Sequence, residues 1–274
     1  MHIKTMIDCS IQDALTAMNE GFQDYSVDIQ MTTETFIETM ASKKLSPEYS
    51  LVAFDGEKPV GIVLNSIYMV DGKKTSYNGG TAVHPDYRGK GVGRQLVQKS
   101  VDLFEEKEVE VSVLEAISDN DGAISLYESY GYKVDDNLAT LRMMFPAGGE
   151  ASYTVELISL NEWRKLGVTE EPVPWQNKIS FVDNREIYAI KDAAKTRGYL
   201  VLSQQPNQIL TVFQLQAVDD EVTYEQLLAS VERRFAGYKV VFFNVPHRHP
   251  VYETYRSREV QKVIEQVWMS RVFE

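Results

Sequence analysis

The chain has 274 residues, 43% of them hydrophobic and 25% charged, a formal net charge of −12, and one cysteine, Cys9. That length suits one large domain or two ordinary ones, and a lone cysteine excludes an intrachain disulfide or a cysteine zinc site and fits a reducing, cytoplasmic setting. The acidity, concentrated in the first half, argues against nucleic acid and anionic membrane as partners and favours cations such as amines; no apolar run approaches the ~20 residues that span a bilayer, and "MHIKTMIDCSIQDAL" carries acids and polar groups where a signal peptide has an apolar core.

In chain order, "IQDALTAMNEGF" places Ile11, Leu15 and Met18 at helical spacing and ends at Gly21. "TTETFIETMASKK" predicts a second helix capped by Thr33, with Phe36, Ile37 and Met40 facing inward. "SLVAFDGEKPVGIVLNSIYMV" reads as two strands around an Asp55-Gly56 turn. "DGKKTSY" repeats the turn signal, and "YNGGTAV" is a further strand whose Gly79-Gly80 pair marks a bulge or a register adjustment. "HPDYRGKGVGRQL" is a basic, glycine-rich turn at the mouth of a helix that runs through Phe104. "VEVSVLEA" alternates as a strand, "DGAISLYESYG" is a short helix closed by Gly131, and "YKVDDNLATLRMMF" is a last strand or hairpin. The first half therefore reads ααβββαβαβ.

The best linker is "PAGGEAS", Pro146 to Ser152, which divides the chain into domains 1–147 and 153–274. The second half offers strands at "EIYAIKD", "GYLVLSQ" and "ILTVFQLQAV", a helix at "TYEQLLASVERRF", a strand at "KVVFFNV", a helical stretch near "YETYRSR" and a strand at "KVIEQVWMSRVF". "GTAVHPD" resembles "LQAVDDE", "QLVQKSVDLF" resembles "QLLASVERRF", and "VEVSVLEAISDN" resembles "YKVVFFNVPHR". The halves read as two copies of one α/β topology, the second lacking the segment "YRGKGVG".

A helix mouth presents uncapped N–H groups and the positive end of the helix dipole. Glycines let the backbone approach an anion closely, and Arg88 and Lys90 can add charge, so the turn is a phosphate cradle. It is not the dinucleotide fingerprint, because Leu96 stands where the third glycine would be, and no Gly-Lys-Ser/Thr follows as in a P-loop.

"VHPDYRGKGVGRQLV" resembles the acyl-CoA pyrophosphate loop of the GNAT (GCN5-related) N-acyltransferase superfamily, Arg/Gln-x-x-Gly-x-Gly/Ala, matched by Arg88, Gly91 and Gly93. "NDGAISLYESYGY" resembles the family's second signature through Asn120, Ala123, Leu126, Tyr127, Glu128, Gly131 and Tyr132. The resemblance covers about residues 1–145 by motif and the remainder by topology alone. It implies two GNAT-like domains, each a mixed sheet flanked by helices, and transfer of an acetyl group from acetyl-CoA, a cosubstrate, to an amine. The pyrophosphate would sit on backbone N–H groups of Arg88, Gly89, Lys90, Gly91, Val92, Gly93 and Arg94. Pantetheine would run along the edge of Thr81, Ala82 and Val83, and Asn120 and Ala123 would meet the cofactor arm, Asn120 doubling as a helix cap. Tyr127 would protonate the leaving thiolate.

The base is less determined by sequence. If Val113 points inward, so does Glu115, while Asp24 and Tyr25 can line the acceptor side. No metal is expected. His84 reads as structural and His2 as exposed or disordered. His247 and His249 read as a surface loop rather than a metal site, and Trp163, Trp175, Phe181 and Trp268 as packing or interface. The partner implied is a small-molecule amine, with a protein or peptide acceptor, or a scaffold that binds without turnover, as alternatives, in a monomer or homodimer.

Overall fold

The computed structural model describes residues 1–23, 30–168, 170, 172–181, 185–193, 195–256 and 260–274. In chain order the strands and helices are β1 (His2–Thr5), α1 (Ile11–Gly21), α2 (Thr33–Ser42), β2 (Leu51–Asp55), β3 (Lys58–Val70), β4 (Lys73–Val83), α3 (Val92–Glu106), β5 (Val111–Ile117), α4 (Asp121–Glu128) and β6 (Lys133–Met144). There follow β7 (Thr154–Ile158), α5 (Leu160–Lys165), β8 (Glu186–Lys191), β9 (Thr196–Gln205), β10 (Ile209–Ala217), α6 (Tyr224–Arg234), β11 (Lys239–Pro246), α7 (Pro250–Arg256) and β12 (Gln261–Val272). Sequence patterning finds all of these except three short elements, β1, β7 and α5, which are too short to show a period.

The chain divides into two compact units. One is Met1–Asp135 with Trp268–Glu274, and the other is Asp136–Val267. In the first, the strand order is β1-β2-β3-β4-β5 and then the end of β12. Strands β1 to β4 are antiparallel neighbours and β4 and β5 are parallel. In the second, the order is β7-β8-β9-β10-β11 and then β6, with β10 and β11 the parallel pair. Each unit thus repeats one order, and each is completed by the final strand of the other half of the sequence.

The division expected at Pro146–Ser152 is accordingly displaced. Leu138–Met144 of β6 pair with β11, so the chain has entered the second unit before it reaches the glycine-rich linker. Trp268–Glu274, read as part of the second domain, belongs to the first: the Phe273 N–H donates to Glu110 O at 2.9 Å, and Phe273 meets the Phe104 ring edge-on at 6.5 Å.

Helix α1 is held by a capping box, in which Ser10 Oγ and the Asp13 carboxylate each accept the other residue's backbone N–H at 3.1 Å. It buries Ala14, Leu15 and Met18, while Ile11, in the first turn, is exposed. Helix α2 is capped by Thr32, not Thr33, in a box with Thr35. The cap one residue earlier leaves Phe36 and Met40 buried and turns Ile37 outward, against the spacing-based expectation. His2 lies exposed on β1, stacked on Phe54 at 5.4 Å.

Candidate functional site

Strands β4 and β5 are paired only from Thr75 with Val111 to Asn78 with Leu114. Beyond that they part, while β4 stays paired with β3 on its other side. The parting coincides with a bulge: Leu64 faces Gly80 but Asn65 faces Asn78, so Gly79 is the extra residue. Packing favours glycine there, since a Cβ at Gly79 would lie 2.6 Å from Leu45 Cδ2 and would have to displace that side chain. The two glycines therefore open a fork, and the β4 edge at Thr81, Ala82 and Val83 keeps the side facing β5 outside that ladder.

The two faces of the fork carry different chemistry. Cross-strand partners share a face and successive residues alternate. On one face the Asn78 amide Nδ2 donates to the Tyr127 hydroxyl at 3.2 Å, and that hydroxyl donates to Thr81 Oγ1 at 3.0 Å. The Gly80 N–H donates to Asn78 Oδ1 at 3.0 Å, which fixes the amide so that its NH₂ points at the phenol. Tyr127 is buried on α4, with Tyr132 edge-on at 5.7 Å. Tyr132 itself is occupied: its hydroxyl is 2.6 Å from Ser112 Oγ, and burial pushes its ionisation upward.

On the other face the Tyr77 hydroxyl donates to Glu115 Oε2 at 3.1 Å. Tyr77 pairs with Ser66 on β3 and Val113 on β5, so Ser66, Tyr68, Tyr77, Val113 and Glu115 share that face. Tyr68 is held above the ordinary phenol range, first by burial and then by the Glu115 charge. The Lys43 ammonium is lowered, first by burial and only partly countered by Glu115. Asp24 and Tyr25 lie outside the described residues.

The glycine turn forms as expected, but its side chains are spent locally. Gly91 adopts φ +83° as the N-cap of α3, with Gly89 at +72°. Gly91 offers no side-chain cap, and the first turn of α3 holds no acid, so its N–H groups remain suited to an anion. Arg88 acts as a clamp rather than a charge in the cradle: Nε donates to Val83 O at 3.1 Å and Nη2 to Gly21 O at 3.0 Å. Lys90 lies over the Tyr87 ring at 5.4 Å. Val92 is buried, and a Cβ on Gly93 would meet Val83 and Leu126 at ordinary contact, which joins α3, β4 and α4. Arg94 O accepts from the Tyr130 hydroxyl at 3.0 Å. Asn120 Oδ1 accepts the Ala123 N–H at 3.1 Å, the cap of α4. His84 is structural, with Nδ1 accepting the Asp86 N–H at 3.2 Å.

In the second unit the corresponding features are filled. Strands β10 and β11 pair from Ile209 with Lys239 to Val212 with Phe242, and β10 bulges at Phe213. Where they part, Asn177 Nδ2 donates to Phe213 O at 2.9 Å and Phe243 O at 2.8 Å. Trp175 and Phe181, flanking Asn177, are buried against each other. His247 stacks on Tyr252 at 3.9 Å, whereas buried His249 accepts the Val251 N–H on Nδ1 at 3.2 Å. Trp163 packs edge-on against Tyr199 at 5.8 Å. Among the described residues no cluster of three His, Cys, Asp or Glu side chains is arranged to hold a metal, and no helix is long and apolar enough to cross a membrane.

Sequence reasoning missed Asn78, Thr81 as the phenol's acceptor, and Lys43 and Tyr68 beside Glu115. Only Asn78 left a signal, as the polar residue directly before the double glycine.

Residues 12–132 match the acetyltransferase (GNAT) family. The chain is 33% identical over 87 residues to N-alpha-acetyltransferase 30 of Schizosaccharomyces pombe, covering 31% of this chain and 58% of that protein. It is 43% identical over 61 residues to the [ribosomal protein bS18]-alanine N-acetyltransferase of Escherichia coli, covering 22% and 38%. The chain thus spans less than two thirds of these relatives. Among solved structures, a GCN5-related N-acetyltransferase from Sphaerobacter thermophilus superimposes with TM-score 0.69 at 14% identity, over 99% of this chain and 95% of that one. A tandem GNAT protein from the clavulanic acid biosynthesis pathway gives 0.64 at 14% identity, over 99% and 98%. At these identities the likeness is one of fold.

Proposed function

From a chain that belongs, through residues 12–132, to the GNAT acetyltransferase family and continues into a second GNAT-like region, we propose an N-acetyltransferase that moves an acetyl group from acetyl-CoA to the amine of a small molecule. The fork carries this reading: a phenol stands on one of its faces and a carboxylate on the other, beside a helix mouth capped only by glycine. The residues fit the cosubstrate. The N–H groups at the start of α3 suit the pyrophosphate, and the β4 edge past Asn78 suits an extended amide arm. Acetyl-CoA supplies an activated thioester.

Glu115 receives a proton from the acceptor amine, whose nitrogen forms the new bond to the acetyl carbonyl carbon. As the carbon–sulfur bond breaks, Tyr127 turns its proton from Thr81 to the departing thiolate. The Asn78 NH₂ then stabilises the phenolate oxygen it already touches. Arg88 holds the loop to α1 and β4, keeping the cradle in register with the fork.

A second reading, acetylation of a protein amino terminus, is favoured by the activities named for the sequence relatives. Thiol release from acetyl-CoA, measured with a panel of small amines and of peptides, separates the two. Release with small amines above the peptide rate supports the first; release with peptides alone replaces it by the second; no release with any acceptor leaves a binding scaffold.

A further inference from the structure

The second glycine of the fork leaves a small space on the Glu115 face. Gly80 stands opposite Leu64, two residues from Ser66 on β3, and so on the face that carries Tyr77 and Glu115. Among the described residues, a Cβ built on Gly80 would meet one atom within 4 Å, Met18 Cε at 3.9 Å. A single carbon therefore fits between the Gly80 backbone and Met18 at ordinary contact distance, and a chain continuing in that direction runs into the thioether. Met18 is held in place by its helix. Residues 18 and 21 lie on one side of α1, and Gly21 packs so closely on β4 that a Cβ there would stand 2.6 Å from Ala82 Cβ. Ala82 is two residues on from Gly80, so α1 lies along β4 with Met18 at Gly80 and Gly21 at Ala82. The Arg88 bond to Gly21 O fixes the same end of the helix. Met18 is 5% exposed, whereas Gly80 is only half-buried, which leaves the slot reachable from outside.

The slot lies where an acyl group has to go. Gly80 is past the last pair of β4 and β5, Asn78 with Leu114. In the transfer reading the sulfur lies on the Tyr127 face, the source of its proton, and the amine arrives on the Glu115 face. A thioester carbonyl is planar, so a sulfur on one face directs the acyl chain towards the other. We propose that the slot between Gly80 and Met18 receives the acyl methyl, and that Met18 restricts the donor to the shortest acyl chain, favouring acetyl-CoA over propionyl-CoA and butyryl-CoA. The inference rests on the transfer reading, and its test keeps the two apart.

The test titrates CoA, acetyl-CoA, propionyl-CoA and butyryl-CoA separately into the full chain by calorimetry, which needs no acceptor. Added carbons pressed against a packed side chain are strained, so butyryl-CoA is expected to bind about tenfold or more weakly than acetyl-CoA, with propionyl-CoA between them. Met18→Ala is expected to bring butyryl-CoA within about threefold of acetyl-CoA, and Met18→Phe to weaken acetyl-CoA about tenfold. CoA carries no acyl group and is expected to bind the parent and both variants alike. Met18→Val repeats the Met18→Ala comparison if the larger truncation of this buried side chain prevents folding. Equal affinity of the parent for acetyl-CoA and butyryl-CoA, or a ratio unchanged by shortening Met18, overturns the inference and leaves the transfer reading standing. Failure of CoA and every thioester to bind the parent overturns the transfer reading, and the inference with it.

Discussion

At the scale of single residues, Tyr127 is distinguished from the chain's other tyrosines by where its proton points. Its hydroxyl receives one hydrogen bond from Asn78 and gives one to Thr81, at the point where β4 and β5 separate. Tyr132, on the same side, is tied to Ser112 within the paired region. Tyr127→Phe removes the proton and little else, so kcat is expected to fall about 10²- to 10⁴-fold with the affinity for acetyl-CoA nearly unchanged. Thiol-release kinetics alongside calorimetry check this, and an undiminished kcat removes Tyr127 from the mechanism. The pattern around Tyr127 was legible in sequence. Asn78 was not, because its role depends on a bulge that brings residues 78, 80 and 81 around one amide. A second residue-scale consequence concerns acid. Burial lowers His249 to about 4 from an ordinary value near 6.5. Above pH 6.5 the imidazole is neutral in both the folded and unfolded chain and costs nothing. As pH falls from 6.5 towards 4 the unfolded chain takes up the proton first, so stability is lost through that window, by roughly 3 kcal/mol once both states are protonated. His249→Asn keeps an acceptor for the Val251 N–H. Its unfolding midpoint between pH 7 and 4 is expected to fall less steeply than that of the parent; equal slopes would assign the acid sensitivity to other groups.

At the scale of elements, the periodicities that identify α1, α3, α4 and α6 and the strands between them come from burying one face, and sequence alone displays that. What it does not display is which strand completes which sheet. β6 and β12 are both 12-residue strands, and either could lie beside β5 or β11; the pairing is a long-range outcome. The consequence is a dependence of the first unit on the far end of the chain. β5 shares only four residue pairs with β4, so much of its support comes from the C-terminal segment: Phe273 through its N–H and ring, and Arg271, whose Nη2 bonds Glu105 at 2.9 Å. A chain ending at Val267 is expected to lose acetyl-CoA binding and to unfold at lower temperature, although every motif residue is retained. Unchanged binding and melting in that variant would show that β12 contributes nothing to the proposed acyl-CoA site.

At the scale of the whole molecule, two units of one strand order differ in what their parallel pair and following helix can receive. In the first, α3 begins at Gly91 without a side-chain cap or an acid in its first turn. In the second, Thr223 and Gln226 cap α6 reciprocally, and Glu225 sits in the first turn. Asp219 and Glu221 precede it, already paired with Lys195 at 2.9 Å, and Glu221 is bonded by Arg197 at 2.7 Å. A pyrophosphate there would meet consumed N–H groups and negative charge, where α3 offers the reverse. The second fork is closed as well, since Asn177 occupies the carbonyls of Phe213 and Phe243 that an extended ligand would need. Sequence exposes the first of these differences as the missing "YRGKGVG" but not the second, because nothing in "PWQNKIS" marks Asn177 as a bridge between strands. Both lead to one number. Calorimetric titration is expected to give one acetyl-CoA per chain, and Gly91→Asp, which sets a carboxylate at the mouth of α3 at the cost of some backbone strain at φ +83°, is expected to weaken that single event by tenfold or more, about 1.4 kcal/mol. A stoichiometry of two, or full-affinity binding that persists in Gly91→Asp, would place a working site in the second unit and undo the assignment of the cradle to α3.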